Sequence, residues 1–254
     1  MHFAMKYEIK TVNVLGSEME IFCFSPSDGM DNQKNPVPGI ILVQHIPVGH
    51  TGLENDIFTL HTAQRLADNG FFVAVPFIFH WWPKSEDIQV KRSHSRDDWL
   101  EADLEAAWNL LKSDPKVGSI GIVGHCWGGR GAWLGACCLR EIGACAMFYG
   151  GRIQLSMGEG ATPPINRADE ISCPVIGFYG DEDKSPSPED VDLYAKALDQ
   201  AGIDYDFHCY EGAGHAFQNF PSPERYNEEA SEDAWSKLLV FLTRNLQTNA
   251  DISS

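Results

Sequence analysis

The sequence predicts an α/β fold in which a mostly parallel central sheet is covered by helices on both faces. Short β-rich runs alternate along the chain with amphipathic stretches, which is the order of elements that this architecture requires. Several runs are continuously apolar, as strands buried on both faces are. Two runs near the start instead alternate polar and apolar residues and predict an antiparallel hairpin at one edge of the sheet.

The elements follow one another without an obvious interruption. The hairpin is predicted at residues 6–14 and 18–24, around a turn at residues 15–17. Buried strands are predicted at residues 39–44, 71–75, 119–123, 144–148 and 174–179, with a further strand at residues 206–210. Helices are predicted at residues 56–69, 97–112, 129–139, 188–200 and 227–244. The helix from residue 188 is well marked, because Ser187 can cap it and Pro188 suits its first position.

The length of 254 residues is ordinary for one α/β domain. No repeat, low-complexity tract or linker divides the chain. We therefore expect a single α/β domain over residues 1–254, with residues 245–254 as a frayed tail.

The formal net charge is −17 and the isoelectric point is near 4.8. Such a surface repels phosphate backbones and anionic lipids, so nucleic acid is not expected as a partner. No apolar run reaches the roughly 18 residues of a membrane span, and the start of the chain has no secretory pattern. We expect a cytoplasmic protein that acts on a small molecule without a membrane, as a monomer or homodimer.

The seven cysteines include no Cys-x-x-Cys pair and lie near no cluster of histidines. This disfavours both a disulfide framework and a metal site. No nucleotide-binding glycine fingerprint is present, so no cofactor is expected. Six cysteines lie within predicted helices and strands or directly before one, and are expected to be buried: Cys23, Cys137, Cys138, Cys145, Cys173 and Cys209.

The seventh, Cys126, lies in the segment Gly124-His-Cys-Trp-Gly-Gly129 between a predicted strand and a predicted helix. This is the pattern of a nucleophile elbow, in which a strained turn exposes the central residue at a helix amino terminus. The amide of Trp127 would then be the first oxyanion donor. The alternative is a chance pattern around a packed core cysteine, but the strand before and the helix after it favour the elbow.

An α/β-hydrolase fold supplies the partners of such a nucleophile in the order nucleophile, acid, histidine, from loops after later strands. The segment Gly180-Asp-Glu-Asp183 follows one strand, and the glycine-flanked His215 follows the next. Position along the chain does not separate Asp181, Glu182 and Asp183 as the acid.

The segments Gly124–Gly129, Gly180–Asp183 and Tyr210-Glu-Gly-Ala-Gly-His215-Ala-Phe217 together resemble the dienelactone hydrolase family, also called carboxymethylenebutenolidases. The resemblance covers about residues 39–217. It implies an α/β-hydrolase fold and a Cys126-Asp183-His215 triad that opens cyclic esters through a thioester. That activity belongs to the carboxylic ester hydrolases of class EC 3.1.1.

Two departures from the family pattern concern the substrate and the thiol. The family's glutamate after the third strand is replaced by His45 or Ile46, depending on the alignment, while the Ile46 amide is a candidate second oxyanion donor. His45 could pair with the thiolate or be structural. Asn219 stands where the family has an arginine that binds the substrate carboxylate, which argues for an uncharged substrate. Arg92 and Arg96 are candidates for a second such arginine, but surface positions are preferred for both.

An aromatic loop follows the strand at residues 71–75. Phe77, Trp81 and Trp82 could wall an apolar substrate pocket together with His45 and Asn219, or pack in the core beneath a long loop. The polar residues 84–95 after them are a candidate cover over the site.

Two further kinds of function stay open on the sequence. An elbow cysteine can also form a sulfenic acid, so the protein could be a thiol redox sensor. The missing glutamate and arginine also fit a non-catalytic, ligand-binding homologue.

Overall fold

The computed structural model describes residues 5–26, 36–46 and 52–246. Within these residues the strands are β1 (Glu8–Val14), β2 (Ser17–Phe24), β3 (Val37–Val43), β4 (Phe72–Pro76), β5 (Val117–His125), β6 (Ile142–Phe148), β7 (Val175–Gly180) and β8 (Tyr205–Tyr210). They form one sheet in the order β1-β2-β4-β3-β5-β6-β7-β8. Strands β1 and β2 form the predicted antiparallel hairpin at one edge, and β2 pairs antiparallel with β4. All pairs from β4 to β8 are parallel, so the predicted mostly parallel sheet is confirmed.

The helices are α1 (Ile57–Asp68), α2 (Ile88–Ser93), α3 (Asp97–Lys112), α4 (Trp127–Cys138), α5 (Pro188–Ala201) and α6 (Glu228–Asn245). Neighbouring residues of β5 contact different helices, because successive side chains in a strand point to opposite faces. A Cβ on Gly135 of α4 would lie 2.4 Å from the side chain of Ile122, whereas one on Gly121 would lie 2.9 Å from Leu246 after α6. Helices therefore cover both faces of the sheet, as predicted.

Two local expectations about these elements need correction. Helix α4 begins at Trp127, two residues before the predicted start, although Gly128 and Gly129 are poor helix formers. Short 3₁₀ segments at Leu53–Asn55 and Pro164–Glu170 were not predicted, and neither was α2. The expected frayed tail lies mostly outside the described residues, and α6 continues to Asn245.

The other cysteines are mostly buried, as expected, and none forms a disulfide. Burial raises the pKa of the Cys23 thiol to about 11 and that of Cys173 to about 12, so both are poor nucleophiles at neutral pH. The expectation was wrong for Cys209, which is exposed on β8, the edge strand of the sheet. Cys138 at the end of α4 is half-buried.

Candidate active site

Cys126 lies in a sharp turn between the end of β5 and the start of α4. Its backbone has φ 56° and ψ −116°, a conformation that is strained for any residue with a side chain. The Cys126 amide donates to the carbonyl of Phe148 at 2.9 Å, and its carbonyl accepts from the amide of Gly129 at 3.0 Å. The turn holds the thiol at the amino end of α4, where the helix dipole favours an anion.

The glycines of this turn are required by space. A Cβ on Gly124 would lie 1.9 Å from the carbonyl oxygen of Gly128. A Cβ on Gly128 would lie 2.1 Å from the carbonyl oxygen of Val43, and one on Gly129 would lie 2.7 Å from the Cα of Gly150. The motif therefore lets β5, α4 and the neighbouring strand ends meet at backbone contact distance.

The structure brings Cys126, His215 and Asp183 together. His215 Nε2 lies 3.1 Å from Cys126 Sγ, and His215 Nδ1 lies 2.8 Å from Asp183 Oδ2. The other carboxylate oxygen of Asp183 accepts a hydrogen bond from the Ser185 amide at 2.9 Å. The imidazole thus contacts both the sulfur and the carboxylate, which is the arrangement of a nucleophile, its base and the group that orients the base.

The loop after β7 distinguishes its three acidic residues by burial. Asp183 is buried, whereas Asp181 and Glu182 are exposed. Asp181 accepts a hydrogen bond from the Gly212 amide at 2.8 Å and so braces the loop that carries His215. Only Asp183 contacts the imidazole, which agrees with the position that the family resemblance implies.

The surroundings of His215 favour its charged form. Burial opposes that form, but the hydrogen bonds to Asp183 and Cys126 outweigh it and raise the pKa of His215 to about 10. These contacts therefore favour an imidazolium beside the sulfur. This charge is the one that stabilises a thiolate.

Tyr149 packs beneath His215. The two rings meet edge to face, with their centroids 5.3 Å apart. Tyr149 follows β6 with φ 40°, and its buried hydroxyl has no hydrogen-bond partner among the described residues. The contact restricts the tilt of the imidazole.

Two residues were predicted to carry the oxyanion donors of the site. The amide of Trp127, as the first of α4, has no acceptor within the helix. Ile46, three residues beyond the end of β3, lines the same cavity as Cys126 and Trp127. Both of these residues therefore belong to the wall of the site.

His45 also lines this cavity, and its partner is a carboxylate. Its Nε2 lies 2.9 Å from Asp56 Oδ1, and both side chains are buried. The sequence left open whether His45 pairs with the thiolate or is structural. The Nε2 atom of His45 faces Asp56 and not the sulfur.

The cavity has a volume of about 680 Å³. Four basic side chains lie on its wall: Arg92, Arg152, Lys184 and Arg225. Among the described residues, Arg92, Arg152 and Lys184 form no ion pair, and Arg225 has a distant one with Glu224 at 3.7 Å. Arg92 is therefore a cavity residue and not merely part of the outer surface, whereas Arg96 pairs with Asp98 on the exposed side.

Asn219 lines the cavity, as expected, but the aromatic loop does not. Phe77 is buried in the core, and its amide donates to the Glu20 carbonyl of β2. Trp81 stacks on Trp99 of α3 at 4.7 Å, and Trp82 packs on the same ring at 5.8 Å. The placement of Phe77, Trp81 and Trp82 in the substrate pocket is corrected: the loop after β4 packs its aromatic side chains into the core and onto α3.

The predicted cover over residues 84–95 contains α2. Ile88 and Arg92 are four residues apart on one face of that helix, and both line the cavity. Lys91 is buried, and its ammonium donates to the Lys84 carbonyl at 2.9 Å. The segment thus forms one wall of the site.

Sequence reasoning missed several residues of this wall. Arg152 follows the pair Gly150-Gly151 at the carboxyl end of β6, and Lys184 follows Asp183. The rule that carboxyl ends of parallel strands converge could have identified both. Asp56 carried no comparable signal, since it reads as an ordinary helix cap.

Within the described ranges, no group of three or more His, Cys, Asp or Glu side chains is arranged to hold a metal ion. No helix there combines the length and apolar character that crossing a bilayer demands.

Comparison with known proteins identifies the family that this chain resembles. The profile of the dienelactone hydrolase family matches residues 29–246. A protein of Yersinia pestis, provisionally named carboxymethylenebutenolidase, is 27% identical over 244 residues, which cover 92% of this chain and 87% of that protein. The carboxymethylenebutenolidase of Rhodococcus opacus is 27% identical over 239 residues, which cover 84% of this chain and 91% of that enzyme.

Solved structures agree on the fold. The crystal structure of a provisionally assigned dienelactone hydrolase from Klebsiella pneumoniae superposes with a TM-score of 0.82 at 24% identity, and the match covers 95% of this chain and all of that one. A dienelactone hydrolase-like promiscuous phosphotriesterase from metagenomic libraries superposes with a TM-score of 0.76 at 17% identity, covering 95% of this chain and 99% of that one. The predicted α/β-hydrolase fold is confirmed, and the chain belongs to the dienelactone hydrolase family.

Proposed function

We propose that this protein hydrolyses a carboxylic ester or lactone through a Cys126-His215-Asp183 triad and a thioester intermediate. The observation that carries the proposal is the line of contacts from Sγ through the imidazole to the buried carboxylate, at 3.1 and 2.8 Å. A nucleophile needs a base within hydrogen-bond reach, and the base needs a group that orients it. Asp183 orients the ring because it holds Nδ1, which leaves Nε2 for the sulfur.

The reaction would begin with attack of the Cys126 thiolate on the substrate carbonyl. The amides of Trp127 and Ile46 would hold the oxygen that becomes negative. As the carbon–oxygen bond breaks, the His215 imidazolium gives its proton to the leaving oxygen and a thioester remains. The neutral imidazole then takes a proton from water, the resulting hydroxide adds to the thioester, and the thiolate leaves.

We further infer that the substrate carries an anionic group away from its reacting carbonyl. Arg92, Arg152 and Lys184 face the cavity without ion pairs among the described residues, in a chain with a net charge of −17. An acidic protein repels anions at long range. A cluster of basic side chains at one cavity therefore makes that cavity the place where an anion is bound favourably. This replaces the uncharged substrate that the absence of an arginine at position 219 suggested.

The other two classes of function receive less support. A thiol sensor of the disulfide type needs a resolving cysteine, and among the described residues that line the cavity Cys126 is the sole cysteine. A ligand-binding homologue without catalysis does not need an imidazolium beside a thiol. Hydrolysis uses both features.

The test is turnover of cis- and trans-dienelactone and of p-nitrophenyl acetate by wild type, Cys126→Ala and Cys209→Ala. Cys209→Ala removes an exposed thiol from the edge strand and should keep full activity. Cys126→Ala should lose it, and mass spectrometry of quenched wild type should find the acyl group on Cys126. Equal rates in wild type and Cys126→Ala on every substrate would refute the proposal.

A further inference from the structure

A second buried pair of imidazole and carboxylate, His45 and Asp56, stands beside Cys126. Strands β3 and β5 are parallel neighbours, and their register pairs Val43 with Gly124. His45 and Cys126 each lie two residues beyond these partners, in the segments that follow the two strand ends. Both line the same cavity. The pair therefore belongs to the same end of the sheet as the nucleophile.

This pair approaches Cys126 from the side opposite to the triad partners. Asp183 follows β7 and His215 follows β8, both on one side of β5 in the sheet, whereas His45 follows β3 on the other. The β3 side also carries Ile46. The geometry thus separates a side that exchanges protons with the sulfur from a side that carries the Ile46 amide.

Asp56 is fixed more firmly than its role as a helix cap requires. Its Oδ1 accepts from the Thr59 amide at 3.1 Å, in addition to the contact with His45, and its Oδ2 accepts from the Thr59 hydroxyl at 2.7 Å. Burial raises the pKa of Asp56, but the hydrogen bonds from His45 and Thr59 outweigh this and hold it below its ordinary value. His45 is therefore fastened to a charged carboxylate at the rigid start of α1.

We propose that the His45–Asp56 bond positions the Ile46 amide, and thereby one of the two oxyanion donors of the site. This inference rests on the proposed hydrolytic function. Ile46 is the next residue after His45, so fixing the imidazole restricts the peptide unit that carries this amide. His45 is a positioning residue in this scheme, and His215 carries out the proton transfers.

Two substitutions remove the same bond from opposite ends: His45→Gln and Asp56→Asn. Each should lower kcat for ester hydrolysis by ~10- to 100-fold, since displacing or losing one oxyanion donor costs about that much or more. KM should change by less than about twofold, because a donor to the oxyanion acts mainly in the transition state. The double variant should lose no more than either single one, as expected for two ends of one bond.

The readout that separates positioning from other roles is alkylation of Cys126 by iodoacetamide. That reaction displaces iodide and forms no oxyanion, so it depends on the thiolate and His215 alone. We expect both variants to alkylate at the wild-type rate while hydrolysis falls. Slower alkylation in step with kcat would overturn the proposal, because His45 would then act on the thiol. An unchanged kcat would overturn it as well.

A matched control is available in the same molecule. His80 Nε2 lies 2.8 Å from Asp103 Oδ1 in another buried pair, and neither residue lines the cavity. His80→Gln should lower the melting temperature with little change in kcat, which shows what loss of a buried pair does by itself. If one of the two cavity-side variants does not fold, the other still tests the bond. Failure of the hydrolytic proposal would show separately, as full activity in Cys126→Ala.

Discussion

The guanidinium of Arg130 in α4 forms two hydrogen bonds with the carboxylate of Asp97 at the start of α3, at 2.6 and 3.0 Å. Both side chains are buried. The same guanidinium donates to the carbonyls of Arg152 and Leu155 after β6, at 3.2 and 2.8 Å. One side chain, four residues beyond the nucleophile, thus joins the elbow helix to α3 and to the segment that carries a basic residue of the cavity.

Removing Asp97 should therefore destabilise the protein strongly. In Asp97→Ala the Arg130 charge stays buried without its counter-ion, which typically costs ~3–5 kcal/mol of unfolding free energy. The control is the neighbouring Asp98→Ala, because Asp98 pairs with Arg96 on the surface and contributes little. Urea unfolding of both variants measures the difference. Similar midpoints for the two would contradict the importance assigned to the buried pair.

The elbow glycines should not tolerate a side chain. In Gly124→Ala the new methyl group would overlap the Gly128 carbonyl oxygen at 1.9 Å, and backbone on both sides leaves nothing soft to move. We expect a loss of about 3 kcal/mol or more, at the upper end of what overpacking costs. Gly214→Ala is the matched control, since a Cβ there meets nothing within 4 Å. Melting temperatures provide the comparison, and equal values would refute the steric account.

The pKa of His215 should be measurable by NMR of the labelled imidazole. Wild type should titrate near pH 10, compared with an ordinary value of 6.5, and Asp183→Asn should titrate at lower pH because one of the bonds that hold the proton is weakened. A raised folded-state pKa stabilises the fold fully below about pH 6.5, and this contribution is lost as the pH rises through about 10. The stability of wild type should therefore fall over that interval more steeply than that of Asp183→Asn. If His215 had the same pKa in Asp183→Asn as in wild type, the assignment of Asp183 as the partner of His215 would be contradicted.

The basic cavity wall makes a prediction about substrate charge. Arg152→Gln should raise KM by ~10-fold or more for an ester with a carboxylate on its acyl part, because a charge-assisted hydrogen bond contributes about 1.5–3 kcal/mol. KM for a neutral ester of similar size should stay the same. Arg65→Gln serves as control, since Arg65 pairs with Glu232 at the surface and does not line the cavity. Equal effects on both esters would show that Arg152 supports the cavity without binding an anion.

The parts of the site that the sequence predicted are those with a local signature. Gly124, Cys126 and Gly128 lie within one turn, and the steric need for the glycines is a property of that turn. His215 and the acidic loop before it follow from chain order, because an α/β-hydrolase fold delivers them from successive strands. Within that loop, Asp183 was implied by the family resemblance. The strands themselves were predictable since each is a short apolar run with a clear end.

What sequence reasoning could not supply depends on which distant segments of the chain pack together. The aromatic side chains of the loop after β4 pack on Trp99 of α3 and not on the substrate side, a contact that no sequence pattern indicates. The partnership of His45 with Asp56 joins a strand end to a helix start across residues that no pattern links. The basic wall was equally hidden, since Arg92 and Arg152 come from different parts of the chain and resemble ordinary surface residues.

The strained turn at Cys126 has a consequence for experiments that change the nucleophilic atom. The backbone of the elbow is set by glycines and by amide contacts, none of which involves the sulfur. Cys126→Ser is therefore a single-atom exchange within an unchanged scaffold. It offers a direct comparison of sulfur and oxygen as nucleophiles under one backbone geometry, in which a difference in rate reports the nucleophilic atom together with its effect on the pKa of His215.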